Sequence, residues 1–252
     1  MYKLSAVSYL NTKPFLMGLD SSPLKGKIHL ELAIPSKTAA HLMDGKIDIG
    51  LVPVAILPQL PQYEIITNYC IGAVGAVKTV AIYSQIPLEE VKTVYLDYHS
   101  RTSIRLAQIL CEHYWNIYPT FLPAFNGYEN EIEGETAGVI IGDRAIRLAK
   151  NYRYEYDLAE AWQRFTGLPF VFAAWVARRK IAPTFEAKLN EAFRNGMTKI
   201  EEVAAFYQGQ YPNFDVLNYL QNYISYDLDA AKQQALDLFL SYLKADVGEL
   251  VS

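Results

Sequence analysis

Short apolar runs and helical patterns alternate along the first half of the chain. "KLSAVS", "IHLELAI", "IDIGLVPV", "YEIITNYCIG" and "KTVAIYS" have strand length and predict strands. Between the second and third of these, "PSKTAAHLMDGK" predicts a helix with Ser36 as its N-cap. The turn signal "SQIPLEE" then opens a second cycle of the same kind. "TVYLD" predicts a strand, and "SRTSIRLAQILCEHYW" a helix with Leu106, Ala107, Leu110, Cys111 and Tyr114 on one face. "PTFLPAF" and "TAGVIIGD" predict strands, "DRAIRLAK" a short helix, and "DLAEAWQRFTG" a helix ended by Gly167 at the C′ position. "LPFVFAAWVARR" is long, apolar and aromatic, the pattern of a buried strand running between two domains. Beyond it the pattern is helical. Phe185, Leu189, Phe193, Met197, Ile200 and Ala204 recur at helical spacing, as do Leu228, Ala231, Ala235, Leu238 and Tyr242.

Strands alternating with helices imply parallel βαβ units. Two such cycles predict an α/β protein with the two-lobed, periplasmic-binding-protein-like (type II) fold and a ligand cleft between the lobes. Residues 1–86 and 175–252 are expected to form lobe one. Residues 87–174 form lobe two, inserted into it. Connections near Ser84 to Glu89 and near Phe172 to Arg178 are expected to link them and act as a hinge.

Charge narrows the partners. The net charge of −4 argues against a broad basic face for nucleic acid. It leaves an anionic small molecule open, because the local field in a cleft can oppose the global charge. No run reaches the roughly 18 apolar residues of a membrane span. The opening "MYKLSAVSYL" does not read as a signal peptide, so a cytoplasmic protein with no membrane partner is expected. Cys70 and Cys111 make no disulfide framework and are expected to be buried free thiols. The 19 tyrosines, many in the C-terminal half, are read as amphipathic surface and core-edge packing.

The polar residues gather at predicted strand ends, where open α/β sheets bind ligands. "SYLNTKP", "PSKTAA", "DYHSRTS" and "IIGDR" each follow a strand and open a helix. Helix starts leave amide donors free and carry partial positive charge, which suits a small dianion. Capping or ligand contact accounts for Ser36, as it does for Asp143. Three hydroxyls in "SRTS" exceed what one cap needs, so ligand contact is expected there. Asn11 lies past a strand and not at an evident cap, and its amide can donate and accept at once. His29, His41 and His113 lie within predicted strands or helices, with no metal-ligand spacing. His99 alone sits at a strand end. No P-loop and no GxSxG occur. The residues describe a small-anion binder, or an enzyme that needs mainly positioning and one proton transfer, with no metal and no cofactor.

"SYLNTKP", "PSKTAAHLMDGKIDIGLVPV", "SRTSIRLAQIL", "VIIGDRA" and "TGLPFVFAAW", in this order over nearly the whole chain, resemble the chorismate dehydratase family of the futalosine route to menaquinone. The resemblance implies a cofactor-free lyase that removes water from chorismate to give 3-[(1-carboxyvinyl)oxy]benzoate. It implies that Asn11 is catalytic, bonding the substrate near the leaving hydroxyl, with Ser8, Tyr9 and Thr12 shaping that wall. Ser100, Thr102 and Ser103 would grip one carboxylate, Thr79 would bond the ligand, and Arg101 would add charge. Ser36, Gly142 and Asp143, at the other strand ends, complete the expected substrate-binding set. No general base is evident, and a substrate carboxylate could take the proton. A sister family, 1,4-dihydroxy-6-naphthoate synthase, carries a His where this chain has Gly142 and lacks "SYLN..P". Both departures argue against it. A cytoplasmic small-anion binding protein is the rival without catalysis, since one fold hosts many functions. The sequence leaves a homo-oligomer open.

Overall fold

The predicted alternation becomes two sheets. The computed structural model describes residues 1–148 and 151–249. β1 (Tyr2–Val7) runs through a 3₁₀ turn at Leu10–Thr12 into α1 (Lys13–Asp20), followed by β2 (Ile28–Ala33), α2 (Pro35–Met43), β3 (Ile49–Pro53) and β4 (Glu64–Ala73). The chain continues through β5 (Val80–Ser84), β6 (Thr93–Leu96), α3 (Arg101–His113), β7 (Thr120–Pro123), β8 (Thr136–Ile141) and α4 (Asp143–Ile146). Next come β9 (Tyr154–Asp157), α5 (Leu158–Thr166), β10 (Phe170–Ala177), α6 (Pro183–Met197) and α7 (Ile200–Tyr207). The last elements are α8 (Val216–Asn218), a π-helical turn at Tyr219–Tyr223, β11 (Ser225–Asp227) and α9 (Ala230–Glu249). The short helix expected over "DRAIRLAK" is a single turn, and the final two residues of that segment lie outside the described ones.

The first sheet has the order β11-β4-β10-β3-β1-β2 and the second β7-β6-β8-β5-β9. Each places a first strand between a second and a third, all parallel, and then an antiparallel strand. That antiparallel strand is β10 in the first sheet and β5 in the second, so each lobe borrows a strand from beyond a crossing. The chain therefore crosses between sheets within 74–79 and 158–169, not at the expected 84–89 and 172–178. β5 belongs with lobe two and β10 with lobe one. Both are buried at every residue, and a uniformly apolar run carries no mark of which sheet it joins. β9 and β11 are short edge strands that the apolar pattern did not announce.

Local signals set the helix ends. Ser100 caps α3 by accepting the Ser103 N–H at 3.3 Å. Asp157 caps α5 through Ala159 and Glu160, and Gly167 ends that helix at φ 75°. The expected cap at Ser36 is displaced: Ile34 is the N-cap of α2 and Pro35 its first residue. Proline is preorganised for that position and lacks the N–H that a cap would serve. Behind the Asn11 turn, the Phe15 ring packs against Phe193 at 4.7 Å, Tyr226 at 5.4 Å and Trp175 at 5.9 Å. α9 lays Phe239 on Trp162 of α5 and Phe170 of β10. Cys70 and Cys111 are free and buried, as expected. Among the described residues, no helix is long and apolar enough to cross a membrane.

Candidate functional site

Parallel strands deliver their carboxyl ends to one edge, and an antiparallel neighbour delivers its beginning there. Val80 at the start of β5 lies opposite Ile141 at the end of β8, and Ala173 in β10 opposite Pro53 at the end of β3. A partly open cleft lies where these edges meet. Val7, Ile71, Val77, Val80, Ile141 and Phe172 supply apolar wall. Tyr9, Asn11, Thr12, Thr79, Ser100 and Ser103 supply hydroxyls and one amide. This is the usual make-up of a small-molecule site, apolar lining with a few placed polar groups.

Of the residues singled out in the sequence, Tyr9, Asn11, Thr12, Thr79, Ser100, Ser103 and Gly142 come together around the cleft. The others do not line it. Ser8 is exposed, and its carbonyl accepts from Lys13 Nζ. Ser36 donates its backbone N–H to the His99 carbonyl at 3.0 Å, a contact between the lobes. Arg101 turns to Gln59 Oε1 at 3.2 Å, beside Met43. Thr102 Oγ1 accepts the Ala55 N–H at 3.1 Å and so also ties the lobes. Asp143 accepts from the Leu10 N–H at 2.9 Å and the Tyr211 hydroxyl at 2.8 Å, so each oxygen is occupied by a protein donor.

Asn11 is half-buried, and its Oδ1 accepts from Thr12 Oγ1 at 3.3 Å. Three groups that the sequence did not reveal surround it. The Tyr226 hydroxyl donates to the Asn11 carbonyl at 3.0 Å. The Tyr219 hydroxyl shares a hydrogen bond with Thr79 Oγ1 at 2.9 Å. Tyr211 holds Asp143. Burial pushes the phenols of Tyr219 and Tyr226 above their ordinary range, and that of Tyr211 up to about 12, so all three act as hydroxyls. They come from the tyrosine-rich C-terminal stretch that was read as surface and core edge. The turn that starts at Tyr219 is π-helical, a backbone geometry frequent at functional sites.

Tyr9 faces the second lobe. Its hydroxyl lies 2.7 Å from His99 Nδ1, and the two share a hydrogen bond. His99 in turn donates its backbone N–H to Asp97 Oδ1 at 2.8 Å. Asp97 is fully buried and paired with Arg144, which also meets Glu129 at 3.1 Å. Burial, assisted by the Arg144 guanidinium, holds the His99 imidazole below its ordinary pKa of 6.5. The unfolded chain then binds a proton that the folded protein resists. Below about pH 6.5 the unfolded state carries more protons, so stability falls as pH drops toward the lowered folded value. Urea unfolding between pH 7 and 5 is expected to show this loss, and His99→Gln to flatten it. An identical slope in the variant would mean that another group sets the acid limb.

Gly142 stands at φ 61° with its Cα against the Tyr9 ring. A Cβ there would lie 2.6 Å from a Tyr9 ring carbon. The position therefore excludes any side chain while Tyr9 keeps its place. No group of three or more His, Cys, Asp and Glu residues with metal-binding geometry occurs among the described residues.

The fold is shared with solved structures. A crystal structure of a protein from Archaeoglobus fulgidus superposes with a TM-score of 0.75 at 12% identity, covering 97% of each chain. The periplasmic aliphatic sulphonate binding protein of Escherichia coli superposes with a TM-score of 0.56 at 14% identity, covering 96% of this chain and 92% of that one. These likenesses establish the two-lobed, periplasmic-binding-protein-like fold read from the sequence. A curated chorismate dehydratase from Thermus thermophilus is 27% identical, over 76% of this chain and 81% of its own length. The sequence profile of the menaquinone biosynthesis family matches residues 2–245, and the chain belongs to that family.

Proposed function

We propose that this chain is a chorismate dehydratase, a lyase that converts chorismate to 3-[(1-carboxyvinyl)oxy]benzoate and water. Membership of the menaquinone biosynthesis family and the similarity to the Thermus thermophilus enzyme support the reading. The observation that carries it is the chemistry of the cleft wall. The polar side chains lining it are hydroxyls and the Asn11 amide, with no carboxylate, imidazole or amine among the described lining residues. The burial-raised Tyr9 phenol is not a base at neutral pH.

Such a wall suits a reaction whose driving force is in the substrate. Chorismate bears a hydroxyl next to the ring carbon that carries the enolpyruvyl ether. Loss of that hydroxyl, with the proton on the ether-bearing carbon, makes the ring aromatic. Asn11 donates a hydrogen bond where the hydroxyl departs. Ser100, Ser103 and the start of α3 hold one carboxylate, because free helix N–H groups and the helix dipole favour an anion there. Thr79 and Tyr9 fix the ring from two sides. With no protein base on the wall, a carboxylate of the bound substrate takes the ring proton. Holding the reactant in this geometry supplies several kcal/mol toward the barrier, on the order of 7–11 in the best intramolecular cases.

The test is to mix the purified protein with chorismate and follow the product by mass and aromatic absorbance. The water-loss product is expected. Saturable binding of chorismate without turnover would instead make this a small-anion binding protein.

A further inference from the structure

We propose that Asp143 is a positioning residue that completes the Asn11 turn from across the cleft, so that Asn11 is held in its working place only while the lobes are together. The kinetic part of this inference rests on the dehydratase reading; the structural part does not. Asp143 is the first residue of α4 in lobe two. Both partners of its carboxylate come from lobe one. Oδ1 accepts the Leu10 N–H at 2.9 Å, and Oδ2 accepts the Tyr211 hydroxyl at 2.8 Å. One turn further on, the Arg147 guanidinium lies 5.0 Å from the centre of the Tyr211 ring.

The Leu10 N–H needs an outside partner. It opens the 3₁₀ turn Leu10–Thr12, and the first N–H groups of a helical turn have none of their own. The residue at the cap position, Tyr9, provides no side-chain acceptor, because its hydroxyl is engaged with His99. Both Asp143 carboxylate oxygens are directed away from its own helix. It caps the turn of the other lobe. A carboxylate accepting an N–H there makes a charge-assisted bond, the stronger kind. Asn11 follows Leu10 directly, and its carbonyl is held from within lobe one by Tyr226. The turn is thus gripped on its amide side by lobe two and on its carbonyl side by lobe one. Parting the lobes removes the first grip and leaves the second.

The consequence is a division of labour at the end of β8. Gly142 admits the Tyr9 ring, and Asp143, one residue on, locks the turn that carries Asn11. Asp143 therefore acts on turnover through Asn11 and not by touching substrate.

The experiment uses the full chain with Asp143→Ala, Asp143→Asn and Tyr211→Phe. Paired spin labels on cysteines introduced at the exposed positions Lys27 and Tyr118, one in each lobe, report lobe separation. For Asp143→Ala, kcat is expected to fall about ten- to hundredfold, the range of a slight misplacement of a reacting group, with KM within about threefold. Asp143→Asn keeps one acceptor and Tyr211→Phe keeps the Leu10 contact, so both are expected to fall between. The label distances are expected to lengthen or broaden in the same order. Tyr211→Phe leaves Asp143 in place and decides the matter if the Asp143 variants do not fold. A raised KM at unchanged kcat would make Asp143 a substrate contact and overturn the proposal. Lower thermal stability with unchanged kcat would make it scaffold only, with the same consequence. If the wild-type protein does not dehydrate chorismate, the functional reading fails, and the label distances alone decide whether Asp143 holds the lobes together.

Discussion

Alanine at position 11 is expected to lower turnover of chorismate about a hundredfold to a thousandfold, the loss typical of removing one preorganised donor aimed at developing charge. The variant is expected to fold. Asn11 is held through its backbone, by the Tyr226 hydroxyl on its carbonyl, and alanine keeps that carbonyl. What disappears is the side-chain amide, with its contact to Thr12. Asn11→Asp tests the same point with nearly the same shape. It replaces a donor by an anion beside a substrate that already carries two carboxylates, so turnover is expected to fall at least as far. Steady-state rates paired with thermal unfolding separate the two effects. Turnover within about threefold of wild type in Asn11→Ala would remove this residue from the chemistry.

Gly142→Ala is expected to damage both folding and turnover. At φ 61° and ψ −147° the backbone is in a region that only glycine occupies readily. Strain there costs on the order of 1–3 kcal/mol. The added Cβ would also sit 2.6 Å from the Tyr9 ring, which is tethered to His99 and lines the cleft. The ring must move, and a displacement of about 1 Å at a positioning group can cost about a hundredfold in rate. Gly127→Ala is the control. Gly127 also has a positive φ, 88°, but a Cβ there meets nothing within 4 Å. It is expected to lose stability and keep its rate. Wild-type turnover in Gly142→Ala would show that the Tyr9 wall has room to spare.

Much of the site was legible before the fold was known. The helix start at Ser100, the stop at Gly167 and the buried strand after it are written in a few adjacent residues. Capping, turn chemistry and apolar periodicity are local properties. The rule that ligands sit at carboxyl strand ends pointed to the clusters "SYLNTKP", "PSKTAA", "DYHSRTS" and "IIGDR"; Tyr9, Asn11, Thr12, Ser100, Ser103 and Gly142 from three of them line one cleft, whereas Ser8, Ser36, Thr102 and Asp143 do not. Thr79 was reached through family resemblance, and the fold supplies its reason: β5 is antiparallel, so its beginning arrives at the same edge.

The rest depended on partners far away in the chain. Local sequence determined the elements, the cleft edge and most of the polar side chains there. The tertiary structure alone decided which sheet β5 and β10 join, and which hydroxyl meets which acceptor. Leu10 and Asp143 are 133 residues apart, Thr79 and Tyr219 are 140 apart, and Asn11 and Tyr226 are 215 apart. A tyrosine reads the same in sequence whether its hydroxyl faces water or braces the Asn11 turn. Burial chooses between them, because a phenol taken out of water must find a partner or bear the loss of its hydrogen bonds. Asp143 shows the same point most sharply. Its sequence setting marks a helix start, and the packing of one lobe on the other turns that carboxylate to the orphan N–H of a different turn.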